Sequence, residues 1–170
     1  MSINVREISL EDTKIINKWH NDRRLFDFLV GDFYGPSIED TKKWIINYVQ
    51  CKNKTFRGIV SINNKDVGVV YLIHNKKNSA EVGIFIADEK NRSKGYGRQM
   101  IAWLLKFGFE VLGFESIYLY TLEENKRAIK LYSNFGFREL KNKRTTITKN
   151  DVLKNIIYMQ ISKNHYLDIK

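Results

Sequence analysis

Arg92-Ser93-Lys94-Gly95-Tyr96-Gly97 joins two segments of opposite character. Ahead of it, Ala80 to Ala87 is a β-branched and aromatic run that predicts a strand. From Gly97 onward, Met100, Ile101, Leu104, Leu105, Gly108, Val111 and Leu112 recur at helical spacing and predict a long amphipathic helix. Glycines at such a junction remove the side chains that would hold an anion away from the backbone. Consecutive N–H groups at the helix start can then donate to a pyrophosphate, helped by the positive end of the helix. Arg92, Lys94 and Arg98 add mobile positive charge around it. A short Gly-x-Gly also serves as a plain helix N-cap, so the surroundings decide. A dinucleotide-binding unit would need a third glycine where Met100 stands, close to an opening strand. A nucleoside-triphosphate loop would need Gly-Lys-Ser/Thr, which is absent.

Upstream, Ile3 to Ile8 alternates in apolar character, and Ser9-Leu10-Glu11-Asp12 has the spacing of a capping box ahead of Ile15, Ile16 and Trp19. Ser37-Ile38-Glu39-Asp40 repeats that signal before Thr41, Trp44, Ile45, Tyr48 and Val49, which share one helical face. The aromatic stretch Phe26 to Tyr34 lies between the two helices as a loop. Phe56 to Ile62 and Val67 to His74 predict a hairpin around Asn63-Asn64-Lys65-Asp66, and Asn75-Lys76-Lys77-Asn78-Ser79 turns into the next strand. Downstream, Ile117 to Leu122 predicts a buried strand. A helix with Ala128, Ile129, Leu131, Tyr132 and Phe135 follows, ending where Gly136 suits a left-handed cap. Phe137 to Leu140 and Ile156 to Ile161 predict the last two strands, joined by a basic connection through Lys141, Lys143, Arg144 and Lys149. With one proline, no repeat and no linker-like segment, residues 1–170 are expected to form one α/β domain. Its mixed, mostly antiparallel, twisted sheet should carry helices on both faces.

Ile84-Phe85-Ile86 followed by Arg92-x-x-Gly95-x-Gly97 is similar to the strand and coenzyme A pyrophosphate loop of the GCN5-related N-acetyltransferases (GNAT). Glu124-Asn125-Lys126-Arg127-Ala128-Ile129-Lys130-Leu131-Tyr132-Ser133-Asn134-Phe135-Gly136-Phe137 resembles a second signature of the same family, an Asn, an Ala and a Tyr on a helix running into Gly-Phe. The order of elements fits from about Val5 to Ile161, and the details most resemble the branch of ribosomal-protein N-terminal, spermidine and amino-sugar acetyltransferases. The spacer Ala87-Asp88-Glu89-Lys90-Asn91 departs slightly from the commonest linker, which shifts the register of cofactor contacts by up to about a residue.

The resemblance implies acetyl transfer from acetyl-coenzyme A to a primary amine. Cofactor contacts are then expected from Phe85, Ile86, Arg92, Ser93, Lys94, Gly95, Tyr96, Gly97, Arg98, Asn125 and Ala128. An amine of pKa about 10 must lose its proton before attacking a thioester. Glu81 is the candidate acceptor of that proton, directly or through water, against the plainer reading of a surface glutamate at a strand end. Tyr132 occupies the family position whose hydroxyl reaches the departing sulfur, although a tyrosine continuing the stripe of Leu131 and Phe135 would look the same in sequence. A backbone N–H near Phe85 or Ile86 is implied as the oxyanion donor. Asn125 would hold the pantetheine arm or orient its helix, and the loop Phe26 to Tyr34 would bound the acceptor pocket.

The net charge of +10 draws polyanions, coenzyme A included, but it is spread along a chain rich in Lys, Asn and Ile, as an AT-rich genome alone would produce. The basic residues do not cluster and no recognition motif accompanies them, which argues against nucleic acid. The same charge disfavours polyamine acceptors and favours neutral or anionic amines, such as an amino sugar or a protein N-terminus. The lone Cys51 and the dispersed His20, His74 and His165 show no metal-site spacing. No segment has the character of a signal peptide or membrane span, so the expected location is the cytoplasm. A homodimer using Ile156-Ile157-Tyr158-Met159 is a further expectation, and a non-catalytic coenzyme A-binding module is the alternative to an enzyme.

Overall fold

The polar turn signals start helices by satisfying backbone donors that a helix leaves open. Ser37 Oγ accepts from the Asp40 N–H at 3.0 Å, and the Asp40 carboxylate accepts from the Ser37 N–H at 3.3 Å, fixing the start of Ile38–Gln50. Asp12 accepts from the Ser9 N–H at 2.8 Å and also takes the Arg6 guanidinium at 2.7 Å. This opens a 3-10 turn, Leu10–Asp12, ahead of Thr13–His20.

The computed structural model describes every residue except Met1, Lys52, Lys54, Lys76 and Lys77. Two residues of the expected turn Asn75 to Ser79 are therefore outside it. The helices are α1 Thr13–His20, α2 Arg23–Phe26, α3 Ile38–Gln50, α4 Tyr96–Lys106, α5 Lys126–Ser133 and α6 Lys163–Ile169; a π-helical turn, Phe107–Val111, extends α4. The strands are β1 Asn4–Glu7, β2 Phe56–Ile62, β3 Lys65–Asn75, β4 Ser79–Ile86, β5 Ser116–Leu122, β6 Arg138–Glu139, β7 Thr145–Lys149 and β8 Val152–Ser162. They form one sheet in the order β1-β2-β3-β4-β5-β8-β6, with β7 also on β8. Every pairing is antiparallel except β4 with β5.

Strand alternation sends successive side chains to opposite faces, so the sheet builds two cores. Val60, Val70, Val82, Ile117 and Leu119 pack beneath Met100, Ile101, Leu104 and Leu105 of α4 and Tyr132 of α5. Ile59 and Val69 pack against Ile16, Trp19, Ile45 and Tyr48 of α1 and α3. Each side chain fully buried this way contributes about 1.5–3 kcal/mol. This is the expected α/β layering, with helices on both faces.

The C-terminal third differs from expectation in three respects. The basic connection after β6 contains β7, whose Thr145 to Lys149 pair with β8 from Ile156 back to Val152. Thr145, Thr146 and Thr148 carry the β propensity of this segment, whose sequence is otherwise marked by its lysines. Helix α6 was not anticipated; Ser162 caps it by accepting from the His165 N–H, and Tyr166 packs on Phe109. Finally, Ile156 to Met159 lie inside the sheet, bonded to β5 on one side and flanked by β7 and β6 on the other. Their side chains are buried within the chain, so this stretch offers no free edge for a dimer.

Candidate active site

The parallel pair β4–β5 is joined only at Ser79–Ser116, Ala80–Ile117 and Glu81–Tyr118. Beyond that rung the strands diverge, while β4 stays paired with β3 to Ile86 and β5 with β8 to Leu122. The result is a V in the middle of the sheet. The Ala87 N–H bonds the Val67 carbonyl on β3, so alternation turns the peptide groups of Val82, Ile84 and Ile86 toward the opening. Polar groups facing such a gap call for a partner, and an extended ligand carrying its own amides suits them. Of Phe85 and Ile86, the latter turns its N–H toward the opening. Phe85 turns its peptide toward β3 and its ring, on the opposite face, meets Trp19 edge-on at 5.9 Å.

The glycine turn sits on the β4 side of the mouth. Gly95 has φ +80°, the left-handed conformation that favours glycine, and precedes α4 as its N-cap. The helix then presents the N–H groups of Tyr96, Gly97 and Arg98 at its first turn, a site for an anion. Ser93, at φ +63°, bends the chain in the same sense. Ser93, Lys94, Gly95 and Arg98 are exposed, and Tyr96 and Gly97 half-buried. The Arg92 guanidinium donates to the Ile86 carbonyl at 3.3 Å, and the Arg98 guanidinium lies 5.5 Å from the Phe135 ring. Asn125 stands on the β5 side, where it caps α5 by accepting from the Ala128 N–H at 3.1 Å.

A strap connects the two sides. The Asn125 amide donates to the Phe28 carbonyl at 3.4 Å, and the Phe28 ring lies 5.3 Å from the Arg92 guanidinium. The buried Lys149 at the end of β7 anchors this segment, its ammonium donating to the carbonyls of Phe26, Leu29 and Gly31. Burial lowers the Lys149 pKa, and Asp32 and Asp27 oppose that shift.

Glu81, on the last shared rung, faces the side of the sheet covered by α1 and α3. Burial raises its pKa, while Arg57 and a hydrogen bond from Tyr71 partly hold it down. Tyr71 crosses Gly83, where a Cβ would stand 2.2 Å from its ring, so only glycine lets that phenol reach the glutamate. Burial and the Glu81 charge push the Tyr71 pKa up and keep the hydroxyl protonated. The Arg57 guanidinium lies 4.8 Å from the Trp44 ring and 5.7 Å from that of Tyr71. Tyr132 on α5 packs in the core beneath α4 with its ring against Phe137, 8% exposed, its pKa pushed up to about 12 by burial. Tyr71, Arg57 and Lys149 were not singled out in the sequence. A tyrosine set opposite a glycine across a hairpin was the available signal for the first. Trp44 packs against the core under α1 and α3 and also lies beneath the Arg57 guanidinium.

The comparisons with known proteins agree with this geometry. Residues 5–153 match the family described as Acetyltransferase (GNAT) domain. The chain is 25% identical over 162 residues to Acetyltransferase PseH of Campylobacter jejuni, covering 95% of this chain and 93% of that one. It is 29% identical over 140 residues to Spermidine N(1)-acetyltransferase of Vibrio cholerae, covering 81% and 79%. A crystal structure of spermidine N-acetyltransferase from Vibrio cholerae in complex with CoA and spermine superposes with a TM-score of 0.84 at 24% identity, over 98% of each chain, and shares the fold. A match across most of the chain, on a sheet that opens beside a glycine turn, places this protein in the GNAT family as an acetyl-CoA-dependent N-acetyltransferase.

Proposed function

We propose that the protein acetylates an amine by direct attack on acetyl-coenzyme A held in the V between β4 and β5. The splayed pair of strands carries this reading, because it leaves the peptide edge of Val82 to Ile86 facing a gap that begins at the glycine turn and ends at Glu81. The first turn of α4 with Arg92, Lys94 and Arg98 would hold the pyrophosphate, and the open edge of β4 the pantetheine amides. Glu81 takes the proton of the incoming ammonium, directly or through water, and its raised pKa makes it a stronger base than an ordinary carboxylate. The Ile86 N–H faces the side where charge develops on the carbonyl oxygen, and a donor there acts most strongly where water is excluded. Tyr132 stays protonated at neutral pH and hydrogen-bonds the departing sulfur.

Tyr132→Phe tests this assignment with the ring and packing retained. Thiol release under saturating substrates should fall about 10- to 100-fold, the loss expected of one transition-state hydrogen bond, while acetyl-CoA binding measured by calorimetry stays within about two-fold. An unchanged rate would remove Tyr132 from the chemistry.

The acceptor is proposed as an amine of neutral or anionic character. Polyamines, the substrates named for the Vibrio cholerae relative, meet like-charge repulsion from the +10 chain. Among the described residues no helix is long and apolar enough to cross a membrane, and the supply of acetyl-CoA supports a cytoplasmic setting. A dodecameric structure of the Vibrio cholerae enzyme supports self-association here as well, through surfaces other than the buried stretch of β8.

A further inference from the structure

Beside Glu81, a cleft of about 470 Å³ opens over the half of the sheet formed by β5 and β8, bordered by the 3-10 turn Lys141–Lys143. Its floor is aromatic. Tyr118 and Tyr158 are buried and stacked, with ring centroids 5.2 Å apart and 20° between planes. Tyr120 stands edge-on to both, at 5.8 and 5.3 Å, and is 41% exposed. Lys143 places its ammonium 4.3 Å from the Tyr158 ring centre and is the charged residue among the described residues of the lining. Asn75 donates to the Tyr118 hydroxyl at 2.6 Å, and Thr145 lies on the rim. Glu81 is paired with Tyr118 on the β4–β5 ladder, which puts the cleft next to the proposed base.

An aromatic floor without a cation would suit an ammonium ligand. Here the chain's own lysine already supplies the cation, and among the described residues of the lining there is no carboxylate, Glu81 standing one strand away at its edge. A polycation entering it meets repulsion, whereas an anion meets a donor, and the open Tyr120 ring offers a surface for a ring to stack upon. We infer that this cleft binds the non-reacting end of the acceptor, and that this end is a ring bearing an anionic group such as phosphate. The inference rests on the proposed acetyltransferase reading and narrows it: Lys143 and Tyr120 select the acceptor, while Glu81 acts on its amine.

The test compares acceptors that differ in this feature: glucosamine against glucosamine 6-phosphate, with a nucleotide-linked amino sugar and spermidine as further arms. Thiol release gives kcat/KM for each, and calorimetry gives the affinity for acetyl-CoA. The phosphate-bearing amines should be preferred over glucosamine by about ten-fold or more, the discrimination one charge-assisted hydrogen bond provides. A sugar-phosphate preference and a nucleotide-linked preference tell the two sources of that phosphate apart. Lys143→Gln should remove most of the preference through the acceptor KM, leaving acetyl-CoA affinity unchanged, and Lys14→Gln on α1 should leave both unchanged. A preference for spermidine, equal use of the two glucosamines, failure to use or bind either phosphate-bearing amine, or a preference that survives Lys143→Gln each overturns the inference. Loss of the acetyltransferase reading would show separately, as absence of acetyl-CoA binding.

Discussion

Glu81→Gln is expected to cut the turnover number about 100-fold or more while leaving thermal stability equal or slightly raised. The two effects have opposite signs because they arise from one charge. A positioned general base contributes about 10²- to 10⁴-fold, and the amide that replaces it cannot take a proton. For stability, burial raises the folded-state pKa of Glu81 above the ordinary glutamate value. A carboxyl shifted in that direction favours the fold below its unfolded pKa, and the contribution is lost as pH rises through the raised folded value. At neutral pH the charged carboxylate is therefore a cost, which glutamine removes while still accepting from Tyr71. The wild-type rate should also rise with pH along an acidic limb centred above the usual glutamate range, and this limb should be absent in the variant. Melting curves and pH–rate profiles read both effects. A glutamate that only supported the fold would lose stability on substitution and keep its rate.

Lys149→Met is expected to lower the melting temperature by roughly 5–10 °C and to weaken acceptor use more than acetyl-CoA binding. Methionine keeps the length and the apolar packing but cannot donate, so the carbonyls of Leu29 and Gly31 lose the ammonium while that of Phe26 keeps the Leu29 N–H. Unsatisfied groups of this kind cost about 1–3 kcal/mol each, offset in part by water reaching a surface loop and by removal of a buried charge. A net loss of about 2–3 kcal/mol corresponds to that shift for a chain of this size. Residues 26–31 also touch Arg92 and Asn125 through Phe28, so releasing them loosens the border of the acceptor site first and the mouth of the V second. An acceptor KM raised about ten-fold, with acetyl-CoA affinity within about three-fold, is the expected pattern. Equal losses for both substrates would show that the strap serves the fold as a whole.

What the sequence disclosed followed from how local each signal is. The glycine turn, the capping residues and the helical stripes are written in neighbouring positions, and each lies where the spacing puts it, Gly95 with its positive φ included. Strand β7 was missed because its apolar content is one residue, Ile147, and its pairing with β8 stabilises it from outside the segment. Lys149 in sequence is one more lysine in a basic connection; only the fold brings its ammonium to a loop about 120 residues earlier in the chain. The same applies to Tyr71 and Arg57, which alternate with core residues along ordinary strands and converge on Glu81 only when β2, β3 and β4 are in register. Conversely, Ile156 to Met159 looked available because apolar character alone does not tell an interface from an interior strand.

In the proposed reaction the V between β4 and β5 receives acetyl-coenzyme A beside a working base. Calorimetric titration of acetyl-coenzyme A into the purified protein, followed in the same sample by thiol release on adding amines, tests it most directly. One-to-one binding followed by amine-dependent thiol release, with binding kept and release lost in Glu81→Gln, is the predicted result. Absence of binding, or thiol release that continues unchanged in Glu81→Gln, would contradict it.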